Sequence, residues 1–359
     1  MRVAVTLEQC WHRVPGGSAR ATLDAVAAVA QRGGVEQVGV SAWHRQPPPL
    51  AWRAPIDVRA LPLPRLALYD TWQRWRLPLV ERATGAVDVV HATAHVASAS
   101  AAPMVATVHD LHFLHEPTHF TARGIRLFTR FLAIVRDEAA IVVCPSEATR
   151  QDCRAAGIDD SRIRITPWAT AVAAVGDTEV ARVRAAYGLG DPFVLFAGTV
   201  EPRKNLARLV EAHRRLGDRQ VSLVVVGPDG WGEDLPSAGV RRLGFVPRAD
   251  LHALYAAAAV VAYPSLREGF GLPVLEAMAQ GAVVVTSATT ATAEVAGSAA
   301  LLVDPLDPDA IAGALRQALD DPALCGRLRE AAVARAATFT WERTADALVS
   351  AYAAAAGTA

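Results

Sequence analysis

The sequence predicts an α/β protein made of two tandem doubly wound units, each a parallel sheet flanked by helices. Three observations predict it. Short β-branched runs alternate with longer alanine- and leucine-rich periodic runs, the pattern of βα units. At 359 residues and 52% apolar composition, the chain exceeds one ordinary core and can bury two. The rhythm breaks near residues 166–192, where Thr166-Pro-Trp168 leads into a weakly patterned stretch and Gly188-Leu-Gly-Asp-Pro192, and then starts afresh. The boundary is therefore read at 172/173.

In the first unit the apolar runs predict strands at Val3–Leu7, Gln37–Ser41, Val87–His91, Met104–His109 and Ala140–Pro145. Periodic runs predict helices over Ala19–Gln31, Thr71–Arg82, Arg123–Glu138 and Glu147–Ala155. Gly33-Gly34 suits the end of the first helix, because glycine accepts a left-handed cap. The proline-rich piece Gln46–Pro64 reads as an extended surface loop. After a helix at Val180–Tyr187, the second unit reads as strand Phe193–Ala197, helix Leu206–Leu216, strand Ser222–Gly227 and a turn at Pro228-Asp-Gly230. Strand Arg242–Phe245, helix Ala249–Ala257, strand Ala259–Pro264, helix Pro273–Gln280, strands Val283–Thr286 and Ala300–Val303, and helix Pro308–Leu319 follow. Sheets of this kind bind ligands at the carboxyl ends of their strands.

Composition excludes several classes. Thirty-six basic and 36 acidic residues leave a formal net charge of zero, against the basic footprint of a general nucleic-acid binder. Cys10, Cys144, Cys153 and Cys325 form no Cys-x-x-Cys pair and fit a reduced cytoplasmic protein better than a disulfide scaffold. Met1–Glu8 reads as a first strand and not a signal peptide. No apolar run approaches the roughly 20 residues that span a bilayer. The expectation is a soluble protein that at most lies on a membrane surface. The stretch Arg123–Arg136, with Arg126, Arg130, Phe128 and Phe131, leaves that contact open, as do Trp72, Arg74, Trp75 and Arg76. The plainer reading is a helix that packs its apolar face and solvates its arginines.

Lys204 is the one lysine among the 36 basic residues. Arg203 and Lys204 follow an apolar strand and precede a helix start at Asn205 or Leu206. Two cations at a helix N-terminus are unfavourable for that helix unless an anion sits there, and phosphate is the natural guest. A compact ammonium suits a phosphate oxygen. The second segment is Glu268-Gly-Phe-Gly-Leu-Pro-Val-Leu-Glu276. Gly269 and Gly271 let the backbone turn and approach a ligand, and Pro273 suits a first helical position. The backbone N–H groups of Phe270, Gly271 and Leu272 can take a phosphate. Glu268, in the turn, can accept from sugar hydroxyls. Glu276, placed in the first helical turn, can accept from a ribose diol, against the bland reading of a helix-end charge worth about 0.3–1 kcal/mol.

Pro15-Gly-Gly17 follows the first strand without the spacing of a nicotinamide fingerprint, and Gly16 and Gly17 permit close backbone approach. His109 ends an apolar strand, where such a sheet presents functional groups; its rival reading is a satisfied buried histidine. His115-Glu-Pro-Thr-His119 matches the zinc pattern His-Glu-x-x-His, which needs a continuous helix that Pro117 opposes. No Asp-x-Asp metal motif stands out.

Together these residues resemble the retaining GT-B glycosyltransferases of the family-four type (glycosyl transferases group 1) over nearly the whole chain. The resemblance is strongest at Gly198–Asn205 and at the E-x7-E segment Glu268–Glu276. It extends through Gly281–Thr286, Glu294-Val-Ala-Gly297, Ser146 and Thr149, and more loosely through Pro15-Gly-Gly17 and His109-Asp110. It implies two Rossmann-like domains, 1–172 on the acceptor side and 173–340 on the nucleotide-sugar side, facing a central cleft. A last helix within 341–359 would cross back to the first domain. It implies hexose transfer from a nucleotide diphosphate sugar to an acceptor hydroxyl of a glycan, glycolipid or similar molecule, with configuration kept and no obligatory metal or cofactor. Arg203 and Lys204 would hold the diphosphate, Glu268 with Gly269, Phe270 and Gly271 the donor sugar, and Glu276 the ribose. Gly16 and Gly17 would approach donor and acceptor, and His109 would lie over the reacting sugar. The backbone near Val246 and Pro247 would meet the base. Glu201–Asn205 and Val108-His-Asp-Leu111 resemble mannosyltransferases, which favours GDP-mannose; UDP- and dTDP-sugars stay open. The rivals are a phosphorylase or epimerase of the same architecture, a zinc hydrolase using His115 and His119, and a non-catalytic sugar or nucleotide binder.

Overall fold

Five consecutive buried residues, as in Val3–Leu7 with no exposure beyond 4%, describe a strand covered on both faces. The computed structural model describes residues 1–12, 16–170, 174–190, 192–217, 219–230 and 239–357. It divides into two compact units, Met1–Ala169 with Thr340–Ala359, and Thr170–Phe339.

The first unit runs β1 (Arg2–Thr6), α1 (Gly16–Arg32), β2 (Glu36–Ser41), β3 (Val58–Ala60), α2 (Arg65–Trp75), α3 (Glu81–Thr84), β4 (Val89–Ala92), β5 (Met104–Thr107), α4 (His112–His115), α5 (Ala122–Glu138), β6 (Ala139–Cys144), α6 (Glu147–Ala155) and β7 (Ile163–Ile165). The second runs α7 (Asp177–Ala186), β8 (Phe193–Ala197), α8 (Leu206–Arg214), β9 (Ser222–Val226), β10 (Val240–Gly244), α9 (Arg248–Ala257), β11 (Val260–Tyr263), α10 (Leu272–Ala279), β12 (Val284–Ser287), α11 (Ala291–Ala296), β13 (Leu301–Val303), α12 (Pro308–Asp320) and α13 (Pro322–Ala336). The last helix, α14 (Trp341–Ala355), belongs to the first unit.

Among the described residues the first sheet has the parallel order β3-β2-β1-β4-β5-β6-β7 and the second β10-β9-β8-β11-β12-β13. Each chain of crossovers leaves the first strand of its unit in one direction and returns to that strand's other side. The switch points therefore lie between β1 and β4, and between β8 and β11. On one face of the first sheet, Ala4, Val38, Val40, Val90 and Val142 pack with Trp72 of α2 and Phe131 of α5. On the other, α14 packs against α1, β5, β6 and β7. A buried chain of hydrogen bonds pins it: His91 Nδ1 lies 2.9 Å from Tyr352 Oη, and His91 Nε2 lies 2.7 Å from Thr107 Oγ1. Thr344 donates to Pro167 O at 2.7 Å.

His91 carries a pH prediction. Burial, reinforced by the neighbouring His109, pushes its pKa down to about 3. Burial, reinforced by His95, pushes His109 down to about 4. An unfolded histidine titrates near 6.5, so below that pH the unfolded chain binds protons that the folded chain refuses. Stability is therefore expected to fall as pH drops from about 6.5 to about 4.5, by up to about 1.4 kcal/mol per pH unit for each buried histidine. Thermal unfolding across that range checks it; a flat melting temperature would contradict neutral burial of both rings.

Several elements differ from the sequence expectations. The helix expected over Thr71–Arg82 ends at Trp75, because Arg76 is left-handed (φ 54°) and Pro78 lacks the N–H a continuing helix needs. Gln46–Pro64 is not all loop: it holds a 3-10 turn at Leu50–Trp52 and the edge strand β3, which pairs with β2 from Gly39↔Val58 to Ser41↔Ala60. The short edge strand β7 and helices α11 and α13 are additional elements.

The second sheet's strand ends are drawn together by glycine. Gly198 N donates to Val226 O at 2.8 Å, and Gly227 has φ +138°. A Cβ on Gly227 would stand 2.1 Å from Gly198 O. Gly227→Ala is expected to destabilise by more than about 3 kcal/mol, from the clash added to strained backbone. Denaturant unfolding measures this; a loss under about 1 kcal/mol would show that the two turns separate freely.

Candidate active site

The cluster at the carboxyl ends of β8 and β11 starts from two local turns. Pro202–Lys204 forms a 3-10 turn after β8, and Asn205 then takes the left-handed conformation (φ 60°). A short polar side chain tolerates that conformation, and Asn205 Nδ2 donates to Pro264 O at 2.9 Å and Pro305 O at 2.6 Å. The turn is thereby tied to the end of β11 and to the segment after β13. Leu266 N donates to Arg203 O at 2.8 Å, joining the two loops a second time.

These ties bring Arg203, Lys204 and Glu268 together. Lys204 Nζ lies 2.5 Å from Glu268 Oε1, and Arg203 Nη1 lies 3.0 Å from Glu268 Oε2. Arg203 Nη2 lies 2.7 Å from Glu201 Oε1. Lys204 Nζ also donates to Tyr263 Oη, and it sits 4.9 Å from the centroid of the Tyr263 ring. Phe196 stacks against that ring with centroids 5.7 Å apart. Side chains of Lys204 and Glu268 are 8% and 7% exposed, so these charges are held away from water. Burial raises the Glu268 pKa, but Lys204 and Arg203 outweigh it and hold the carboxyl below its usual range. Burial, with Arg203, lowers the Lys204 pKa, while Glu268 and Glu201 pull it back. The ion pair satisfies both groups, and its two cations and two carboxylates balance.

The Glu268–Glu276 segment is shaped by Gly271, the N-cap residue of α10, at φ +102°. A Cβ there would meet Thr292 Cγ2 at 2.7 Å. Phe270 is buried, edge-on to Phe339 at 5.8 Å. Leu272 opens α10 with Pro273 behind it. Glu276 is the fifth helical residue, past the first turn where the sequence reading placed it. Its counter-charge is Arg248, whose Nη2 is 3.6 Å from Glu276 Oε1. The two carboxylates thus have separate cationic partners. Val246 is buried between β10 and α9, and Pro247 caps α9.

In the first unit, Gly16 (φ +74°) and Gly17 open α1; Pro15 lies outside the described residues. His109 follows β5 and is buried, with Nε2 2.9 Å from Thr93 O. Its ring lies 5.8 Å from that of Trp168 and 5.9 Å from that of His95.

Residues 178–335 match the family of glycosyl transferases group 1, and residues 15–170 match glycosyltransferase family 4. The O-antigen chain mannosyltransferase B of Escherichia coli is 33% identical over 264 residues, which are 69% of this chain and 69% of that protein. The chain belongs to the group 1, family-four glycosyltransferases. Two further relatives of this glycosyltransferase match over less of their length. The serotype-specific mannosyltransferase WbdA of Escherichia coli is 36% identical over 44% of this chain and 21% of its own. A D-inositol 3-phosphate glycosyltransferase of Kribbella flavida is 38% identical over 50% of this chain and 48% of its own. In fold, the glycosyltransferase resembles Anabaena Alr3699/HepE, solved with UDP and glucose, at a TM-score of 0.76 and 18% identity over 98% of each chain. Sucrose-phosphate synthase of Thermosynechococcus elongatus gives 0.76 at 21% identity, again over 98% of each chain. The architecture is GT-B: two parallel-sheet Rossmann-like units.

The zinc reading loses its geometry. The helix it needs stops at His115, Glu116 is non-helical (φ −131°, ψ 70°), and a 3-10 turn carries His119. His115 Nε2 lies 2.9 Å from Asp152 Oδ1, while His119 Nδ1 lies 3.0 Å from His112 Nε2, so the imidazoles face different partners. Helix α5 buries Phe131, Leu132, Ile134 and Val135 and leaves Arg123, Arg126 and Arg130 exposed. No helix among the described residues is long and apolar enough to cross a membrane. The four cysteines are buried.

Four neighbours of the site escaped the sequence reading. Glu201 and Asn205 lie inside the phrase that carried Arg203 and Lys204, so a count of its polar groups would have flagged them. Tyr263 closes an apolar strand and reads as core. Arg248 carries no local signal, because its partner Glu276 is far along the chain.

Proposed function

We propose that the chain transfers a hexose from a nucleotide diphosphate sugar to a hydroxyl of a glycan or glycolipid acceptor, with retention at the anomeric carbon. The observation that carries this reading is the convergence of Arg203, Lys204 and Glu268 at the β8/β11 switch point, beside the glycine-shaped start of α10. The acceptor oxygen bonds to the anomeric carbon as the bond from that carbon to the phosphate oxygen breaks. The departing diphosphate keeps the electron pair and receives the acceptor's proton. Negative charge grows on that diphosphate, and the Lys204 ammonium and Arg203 guanidinium, positioned at the strand ends, stabilise it once they turn from Glu268 to the phosphate. In this reading Glu268 accepts from hydroxyls of the donor sugar, aided by the backbone of Gly269, Phe270, Gly271 and Leu272. Glu276, oriented by Arg248, accepts from the ribose diol, and the backbone at Val246 meets the base. We also propose ligand contacts for His109, Gly16 and Gly17 of the first unit. In this reading the step has no obligatory metal or cofactor.

Mannose from GDP-mannose is the donor we favour, because relatives at 33% and 36% identity are named mannosyltransferases. A panel of GDP-, UDP- and dTDP-sugars, scored by the rise in melting temperature, tests this. GDP-mannose is expected to raise it most; a larger rise with a UDP- or dTDP-sugar reassigns the donor, and no rise with any of them overturns the reading.

A further inference from the structure

A phenol hydroxyl stands beside the cations of the site. Tyr263, the last residue of β11, is fully buried, and its Oη accepts from Lys204 Nζ. Stacking fixes the ring: Phe196 of β8 lies at 18° to it with centroids 5.7 Å apart, and the ammonium is 4.9 Å from its centroid. The backbone is fixed as well, because Thr286 Oγ1 of β12 donates to Tyr263 O at 2.9 Å. Asn205, next to Lys204, donates to the carbonyl of Pro264, next to Tyr263, at 2.9 Å. The spacing between ammonium and phenol is therefore set by the sheet and the turn, independently of the loop that carries Glu268.

Lysine has three N–H donors. In Lys204 one meets Glu268 and another meets Tyr263. The two acceptors are not equivalent. The Glu268 carboxylate cancels the ammonium charge, so it competes with a diphosphate for that charge. The phenol carries none, and burial, reinforced by Glu268, pushes its pKa well above the ordinary value near 10, so it stays neutral. A neutral acceptor holds the ammonium in place and leaves its full charge to a phosphate. Without that acceptor, an ammonium that leaves Glu268 would hang on a flexible stem with no fixed point.

We infer that Tyr263 is a positioning residue of the transfer step: its hydroxyl anchors Lys204 while the ammonium passes from Glu268 to the leaving diphosphate. The inference rests on the reading that Lys204 meets a diphosphate. Tyr263→Phe tests it, since this variant keeps the ring and its stack on Phe196 and removes one oxygen. Because Lys204 is the one lysine, isotope-labelled lysine gives a single side-chain ammonium signal in NMR of the full chain. With GDP and with UDP as probes, exchange of that ammonium with water is expected to be about tenfold faster in Tyr263→Phe than in wild type, for loss of one hydrogen bond to a charged group. With the nucleotide sugar that most raises the melting temperature, kcat for nucleoside diphosphate release, to water or to methyl α-D-mannopyranoside, is expected to fall about 10–100-fold. KM for that donor should change by less than about threefold, because Arg203 still holds the diphosphate. A merely structural role would lower the melting temperature and leave kcat of the folded protein unchanged. Equal exchange rates in the two proteins, or a kcat that Tyr263→Phe does not lower, overturns the anchor. Failure of the functional reading is a separate result: neither GDP nor UDP would move the wild-type Lys204 signal.

Discussion

Lys204→Ala is expected to lower the transfer rate by about 10²–10³-fold, the cost of deleting one preorganised electrostatic donor. The argument begins with burial. Lys204 is 7% exposed and stands between Glu268 and the Tyr263 hydroxyl, so no solvent cation replaces it. Arg203 remains, but its guanidinium is shared between Glu201 and Glu268. The fold should survive. Stranding a buried charge costs about 3–5 kcal/mol, and Glu268 keeps Arg203, so the destabilisation should be smaller. Steady-state rates with the best donor, set beside the melting temperature, check both halves. In the double variant Lys204→Ala/Glu268→Gln, stability should recover and activity should not. A rate loss under tenfold would show that the ammonium does not stabilise the leaving group.

Glu268→Gln is expected to move binding and turnover in opposite directions. Glu268 pairs with the two cations assigned to the diphosphate. A diphosphate arriving there competes with that carboxylate. Removing the negative charge should tighten nucleoside diphosphate binding by about tenfold, or about 1.4 kcal/mol. Transfer should slow by about 10–100-fold, because a hydrogen bond to a charged acceptor contributes roughly 1.5–3 kcal/mol. Calorimetric titration with GDP and UDP, set beside the transfer rate, reads both. Weakening of both would mean that Glu268 serves only to hold Arg203 and Lys204 in position.

The parts of this molecule that were legible in the sequence share one property: their signal is local. Phe193–Ala197 is a run of five residues buried on both faces, and its limits in the structure are those read from sequence. Glu147–Ala155 is bounded by Ser146, which caps the helix by accepting from Thr149 N. Edge strands offer no such run. Val58–Ala60 has no fully buried residue and Ile163–Ile165 has one, so neither shows two-sided burial. Helix α13 mixes alanine, arginine and leucine without a sharp stripe, and buries only Cys325, Leu328, Ala332 and Ala336. At the site, residue types were legible and partners were not. The two carboxylates of Glu268–Glu276 read as one feature, yet one pairs with Arg203 and Lys204 and the other with Arg248.

By itself, then, the sequence determined the α/β class, most of the βα units and the residue types at two strand ends, because periodicity, capping and turn chemistry act within a few residues. Only the tertiary structure decided that the ends of β8 and β11 are one place. Their order in the sheet, β9-β8-β11, follows from how crossovers return and pack, and it sets Lys204 against Glu268 across 64 residues of chain. Contacts of that span depend on which strand lies beside which, and no short window of residues encodes it.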